Sequence, residues 1–280
     1  MKKPQFIVAI IAIISCIAIY IFVPRTKKAE STQPENNTAS ATVTTQSLLD
    51  GAKTALTANQ KITLLSIENQ LVNSKTKTDS LKNFTQLAQF WADSAHRVEP
   101  YLYYTYSAAL LENSEKSLTF AAQQLIDNLT TPDAPPAMLN WIALNAKALL
   151  EKALVINPNN DSAKINLGAC YLFGNISDNP MQGILKVKEV VDKNPQNIYG
   201  QLILGLGGKK SGQYPKAIER FNTILKLDPN NIEAMVNLAE CYELTDQKAL
   251  AIDWYTKMKN LVNNPNAKEA IDKRIKELKK

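Results

Sequence analysis

Three times the chain writes nearly the same four residues: Asn-Pro-Asn-Asn at 157–160, Asn-Pro-Gln-Asn at 194–197 and Asp-Pro-Asn-Asn at 228–231. The prolines, Pro158, Pro195 and Pro229, lie 37 and 34 residues apart. Proline lacks the amide hydrogen and clashes with a preceding helical turn, so each phrase must stop a helix. The Asn and Asp around it are turn and cap residues. A fixed period of this length means a stacked array of small units, none of which can bury its apolar face alone.

Other residues keep the same register. Twelve positions before each proline stands a small residue, Ala146, Gly183 or Ala217, and eight before stands a bulky one, Leu150, Val187 or Phe221. Small next to large one turn away lets two helices approach and then fills the gap between them. Earlier in each unit come Leu167, Gly168 and Tyr171, then Leu204 and Gly205, then Leu238, Ala239 and Tyr242.

This pattern resembles the tetratricopeptide repeat, a helix-turn-helix unit. The resemblance covers roughly 79–265 and is strongest over 140–262. It implies an all-α chain, a right-handed superhelical solenoid of tetratricopeptide units closed by a C-terminal capping helix; the apolar run at the front of the chain adds one transmembrane helix before it. The expected units are 79–113 and 114–160, both degenerate, then 161–197, 198–231 and 232–265. Helices over 115–129 and 137–156 would make the long second unit, with loop residues Thr130, Thr131, Pro132, Asp133, Pro135 and Pro136 between them. The 161–197 unit is about three residues too long, around Asn175–Asn179. The last unit has Asn263 in the proline position and Pro265 two residues late. Residues 266–280 carry one narrow apolar stripe, Ile271, Ile275 and Leu278, as a solubilising cap should. Residues 47–78 hold two further amphipathic stretches, read as helices but without a place in the repeat.

The front of the chain is different in kind. Phe6 to Val23 is a run of 18 uncharged, nearly all apolar residues between Lys2, Lys3 and Arg25, Lys27, Lys28. At about 1.5 Å per residue it spans about 27 Å, enough for a bilayer core. A cleaved signal would need a small-x-small site after the run, and none is present. Lipidation at Cys16 would need a polar segment to follow, yet Ile17 to Val23 is hydrophobic. Residues 1–28 therefore read as an anchor. The two flanks carry similar positive charge and do not orient it. A short amino-terminal tail before a long domain points to the amino end inside, which in a bacterium places the repeats in the periplasm. Residues 29–46 are polar and read as a flexible tether on the order of 20–25 Å long.

The formal net charge is +6. The anchor segment 1–28 carries +5 and the terminal helix 266–280 carries +3, which leaves −2 for the body. That is no nucleic-acid footprint. Cys170 and Cys241 have an entire repeat between them, beyond disulfide reach, where small core residues belong. The single histidine, His96, cannot build a zinc site alone. Gly205-Leu-Gly-Gly-Lys-Lys-Ser-Gly212 matches neither phosphate-loop template. Gly205 reads as a packing glycine. Gly207 and Gly208 do not fit, since Gly208 replaces the tyrosine of the neighbouring units. Two helix glycines cost about 1 kcal/mol each; either the helix ends early there or a partner approaches closely. No catalytic residue, cofactor, metal or small-molecule substrate is expected.

In the family the resemblance points to, the concave surface is lined by the first helix of each unit at positions 2, 5, 9 and 12. Carried over, these are Ser162, Ile165, Ala169 and Leu172, then Tyr199, Leu202, Leu206 and Lys209, then Glu233, Val236, Glu240 and Glu243. The fifth positions are aliphatic, so the carboxylate clamp of some family members is missing. The implied ligand is a protein or peptide partner, an apolar helix or strand with a basic end. With the anchor, the resemblance implies a membrane-tethered scaffold or adaptor for an envelope complex, or alternatively a receptor that holds exported or unfolded chains. One stoichiometric partner would mark the first, many unrelated apolar peptides the second.

Overall fold

A computed structural model describes residues 43–129, 134–177 and 179–280. The expected anchor over 1–28, most of the tether and the insert 130–133 lie outside these residues. Among the described residues no helix is long and apolar enough to cross a membrane.

The described chain is all-α. In order it forms α1 (Thr45–Thr54), α2 (Ala58–Val72), α3 (Lys77–Gln89) with a π-helical turn over Phe90–Ser94, α4 (Val98–Glu112) and α5 (Glu115–Ile126). Then come α6 (Pro136–Ile156), α7 (Asp161–Phe173), α8 (Met181–Lys193), α9 (Ile198–Lys210), α10 (Tyr214–Leu227), α11 (Ile232–Leu244), α12 (Lys248–Leu261) and α13 (Pro265–Leu278). From α2 onward each helix packs chiefly on its sequence neighbours, with the pairs α3/α4, α5/α6, α7/α8, α9/α10 and α11/α12 the most extensive, while α1 packs on α4. The tether expectation fails at its end. Thr44 and Ser47 form a reciprocal capping box, so α1 begins inside the polar stretch. Trp141 Nε1 donates to Thr45 Oγ1 at 3.0 Å and ties that start to α6.

The repeated phrase has one conformation in all three copies. Its first residue ends a helix: Asn157, Asn194 and Asp228 share φ near −133° and ψ of 91°, 85° and 90°. The side-chain oxygen of each accepts from the amide two residues on, Asn159, Gln196 and Asn230, at 3.1, 3.2 and 3.2 Å. The proline sits in the bend, not in the next helix. The last asparagine is the N-cap: Asn160, Asn197 and Asn231 accept from the amides of Ala163, Gly200 and Ala234 at 2.8, 2.8 and 2.9 Å. Four residues thus stop one helix and start another. The late Pro265 has its own reason: it is the first residue of α13, capped by Asn264.

The core follows the chain as a series of clusters. One gathers Leu49, Leu64, Leu87, Trp91 and Tyr104; the next runs from Leu102 to Ile203; the last runs from Ala217 to Ile271. The small-residue positions do what their spacing predicts. A methyl placed on Gly168 would come within 2.8 Å of the carbonyl oxygen of Gly183, so α7 and α8 touch backbone to backbone. One expectation is overturned here. α9 does not end early, because it continues through both Gly207 and Gly208 to Lys210.

Candidate binding groove

Four helices, α5, α7, α9 and α11, present one face each to a shared concavity. On α9 the residues Tyr199, Leu202, Leu206 and Lys209 recur at steps of three and four, which places them on a single helical face. A cavity of about 240 Å³ opens there. Ala169, Tyr199, Leu202, Leu206 and Glu233 of the predicted set line it together, joined by Gln123 from α5, Asp127 at the C-cap of α5 and Phe173 from α7.

Its floor is held by a polar relay. Tyr199 Oη donates to Asn166 Oδ1 at 2.5 Å, and Asn166 Nδ2 donates to Gln123 Oε1 at 2.8 Å. Asn166 is only 3% exposed, so its amide needs both bonds. Burial pushes the Tyr199 hydroxyl up to about 12, so it remains a neutral donor. The cavity's charged lining residues are acidic, Asp127 and Glu233. Desolvation holds the Glu233 carboxyl above its ordinary value.

The other predicted residues are placed differently. Ile165 is 1% exposed and belongs to the core, with Val236 partly buried against the last cluster. Leu172 turns away from the cavity, toward Gly183 on α8 and Gly207 on α9. Lys209 does not offer a free ammonium: it pairs with Glu240 and donates to Asn237 Oδ1 at 2.8 Å. Glu243 is claimed by Arg274 of α13, which donates to both of its carboxylate oxygens. The expected cluster of carboxylates therefore reduces to Glu233 for outside partners, since α9 and α13 neutralise Glu240 and Glu243.

Gln123, Asp127 and Phe173 were not expected. Counting from the N-caps recovers them. Nine residues after Ser114, Asn160, Asn197 and Asn231 come Gln123, Ala169, Leu206 and Glu240; thirteen after come Asp127, Phe173, Lys210 and Leu244. These two columns lie four apart and so share a face. The signal was the Ser114–Ser117 capping box at the start of α5.

Residues 210–271 match the family model of the tetratricopeptide repeat. No curated protein matches the chain. Among solved structures, a MamA protein is similar at 15% identity, covering 66% of this chain and 92% of its own, with a TM-score of 0.44. MamA from Desulfovibrio magneticus RS-1 is 21% identical over 65% of this chain and 95% of its own, also with a TM-score of 0.44. YrrB, described as a tetratricopeptide protein with an unusual peptide-binding site, is 15% identical over 71% of this chain and 98% of its own, with a TM-score of 0.43.

Proposed function

We propose that this tetratricopeptide repeat protein is a membrane-anchored, non-enzymatic scaffold that holds a partner polypeptide in the groove of α5, α7, α9 and α11. The observation that carries the reading is the convergence of Tyr199, Leu202, Leu206 and Phe173 around one cavity whose charged lining is Asp127 and Glu233. Apolar walls reward burial of apolar side chains, at roughly 25 cal/mol per Å². Carboxylates with no basic side chain beside them in the lining favour a lysine or arginine on the ligand. The ligand is thus an apolar segment with a basic end, as an extended chain or one face of a helix.

Two features support a role in assembly. The polar relay beneath the cavity is already satisfied within the chain, so the site needs no large rearrangement to receive a segment. The hydrophobic run Phe6–Val23 is long enough to serve as the anchor, and a short amino-terminal tail before a long domain favours the repeats on the far side of the membrane from the amino end. In a bacterium this puts the groove in the periplasm, beside envelope complexes.

The test is photo-crosslinking in cells from position 202, with Lys152 on the outer helix α6 as control, and Leu202→Glu as the disrupting variant. One dominant partner crosslinked at 202, absent at 152 and lost in Leu202→Glu, is the expected result. Retention of every partner by Leu202→Glu overturns the groove. A broad set of unrelated chains at 202 would instead favour the chaperone-like receptor.

A further inference from the structure

On the opposite side of α9 lies a larger cavity, about 460 Å³, whose lining includes Leu172, Ile184, Leu204, Gly207 and Gly208. Leu204 and Gly208 stand two residues on from Leu202 and Leu206, hence about 200° around the helix from the groove. Its volume falls in the range of ligand sites, about 300–1,000 Å³.

The cavity has an internal explanation. Eleven residues after the caps Asn160, Asn197 and Asn231 come Tyr171, Gly208 and Tyr242. Both tyrosines are half-buried and pack against the core of their own units. Tyr171 and position 208 face equivalent partners: Tyr171 Cβ lies 3.0 Å from a methyl placed on Gly183, and a methyl placed on Gly208 lies 3.4 Å from Ala217 Cβ. Gly183 and Ala217 hold the same place in their repeats. A side chain at 208 would therefore leave α9 toward Ala217 as that of Tyr171 leaves α7 toward Gly183, and Gly208 lines the cavity there. Nothing crowds Gly208, because an added Cβ would make ordinary contacts. Gly205 in the same helix is the contrast, with the Phe221 ring 2.6 Å from such a Cβ. A mid-helix glycine whose Cβ would make only ordinary contacts costs about 1 kcal/mol against alanine. Here it opens a hole.

The rim is basic. Lys188 on α8 and Lys216 and Arg220 on α10 line the cavity against one acid, Glu219. Lys216 Nζ donates to Gln213 Oε1 at 2.7 Å and Arg220 Nη1 to Gln201 Oε1 at 3.0 Å, while Lys188 reaches Asp192 at 3.3 Å. The first two therefore have neutral partners. The cations flank the hole from both sides, as a chain laid from α8 to α10 would need.

We propose that this cavity is a second peptide site, which takes an aromatic side chain flanked by carboxylates from a partner protein and supplies the ring that Gly208 lacks. It is independent of the groove and opposite to it in charge preference, so one scaffold can hold two different segments.

The test uses the full-length protein in detergent and fluorescein-labelled Glu-Asp-Phe-Asp-Glu, read by fluorescence anisotropy. Controls replace the Phe by Leu, or the four acids by Lys. The acidic aromatic peptide is expected to bind at least tenfold more tightly than either control. Gly208→Tyr, which fills the hole, and Lys216→Glu, an exposed change that leaves the fold alone, are each expected to weaken it at least tenfold. Leu202→Glu is expected to leave it unchanged, which separates this site from the groove. No preference for the acidic aromatic peptide, or wild-type binding by both Gly208→Tyr and Lys216→Glu, overturns the proposal.

Discussion

Tyr199 Oη meets Asn166 Oδ1 at 2.5 Å across the boundary between two consecutive units. This bond and the Asn166–Gln123 bond beneath it link α9, α7 and α5 through side chains alone. Tyr199→Phe keeps the ring and leaves a buried carbonyl oxygen unpaired. An unsatisfied buried acceptor costs about 1–3 kcal/mol. Urea unfolding of Tyr199→Phe is expected to show that loss as a lower midpoint at unchanged slope. A midpoint equal to wild type would mean that water takes the place of the hydroxyl.

Two glycines three residues apart on α9 are expected to respond in opposite directions. Gly205→Ala drives a methyl to within 2.6 Å of the Phe221 ring, which is fully buried and cannot retreat. Overpacking of this kind costs about 1–3 kcal/mol. Gly208→Ala meets only ordinary contacts and removes a helix-interior glycine, a gain of about 0.5–1 kcal/mol. Melting temperatures of the two variants against wild type check the sign of each.

How much of this was legible from residues alone depends on the distance over which a signal acts. The Asn-Pro-x-Asn phrase acts locally. Proline, an Asx turn and an N-cap each act within four residues, so the stop and restart of the helices and their pairing order could be read directly. That Tyr199, Leu202 and Leu206 share one face of α9 was legible too, because they recur at helical spacing. The fate of Lys209, Glu240 and Glu243 was not. Each is settled by a residue 31 positions away in sequence, Lys209 with Glu240 and Glu243 with Arg274. Charge counts along one helix cannot reveal a neutralising partner on another. Leu172 was misplaced because position 12 lies on the shoulder of the helix, where the glycines at 183 and 207 draw it inward.

The pairing of Glu243 with Arg274 makes a further prediction about the end of the solenoid. Arg274 binds both oxygens of Glu243, whose side chain is 9% exposed, while Ile271 buries against the last cluster. In a stacked array each unit is held mainly by its neighbours. Arg274→Ala is therefore expected to loosen α13 and leave α5 to α9 unchanged. Hydrogen exchange should rise over 265–278 and stay at wild-type rates over 115–210. A uniform rise along the chain would show that the units do not respond independently.

The buried thiols and phenols set the response to alkali. Desolvation pushes the Cys170 thiol up from 9.0 to about 12 and the Cys241 thiol up to about 11. It likewise raises Tyr199 from 10.0 to about 12, and Tyr104 and Tyr255 in the same direction. These groups are neutral when protonated, and the folded state keeps their protons longer than the unfolded chain does. Above pH 9 the unfolded state therefore binds fewer protons, and stability falls as pH rises. The contribution is complete below the unfolded pKa values and is lost progressively from about pH 9 to about pH 12. Urea midpoints are expected to stay level from about pH 7 to 8.5 and then to drop steadily. Replacing both cysteines by alanine should delay the onset by about one pH unit, because unfolded tyrosines begin to ionise only near pH 10. A midpoint that holds to pH 11 in wild type would mean that these side chains reach solvent in the folded protein.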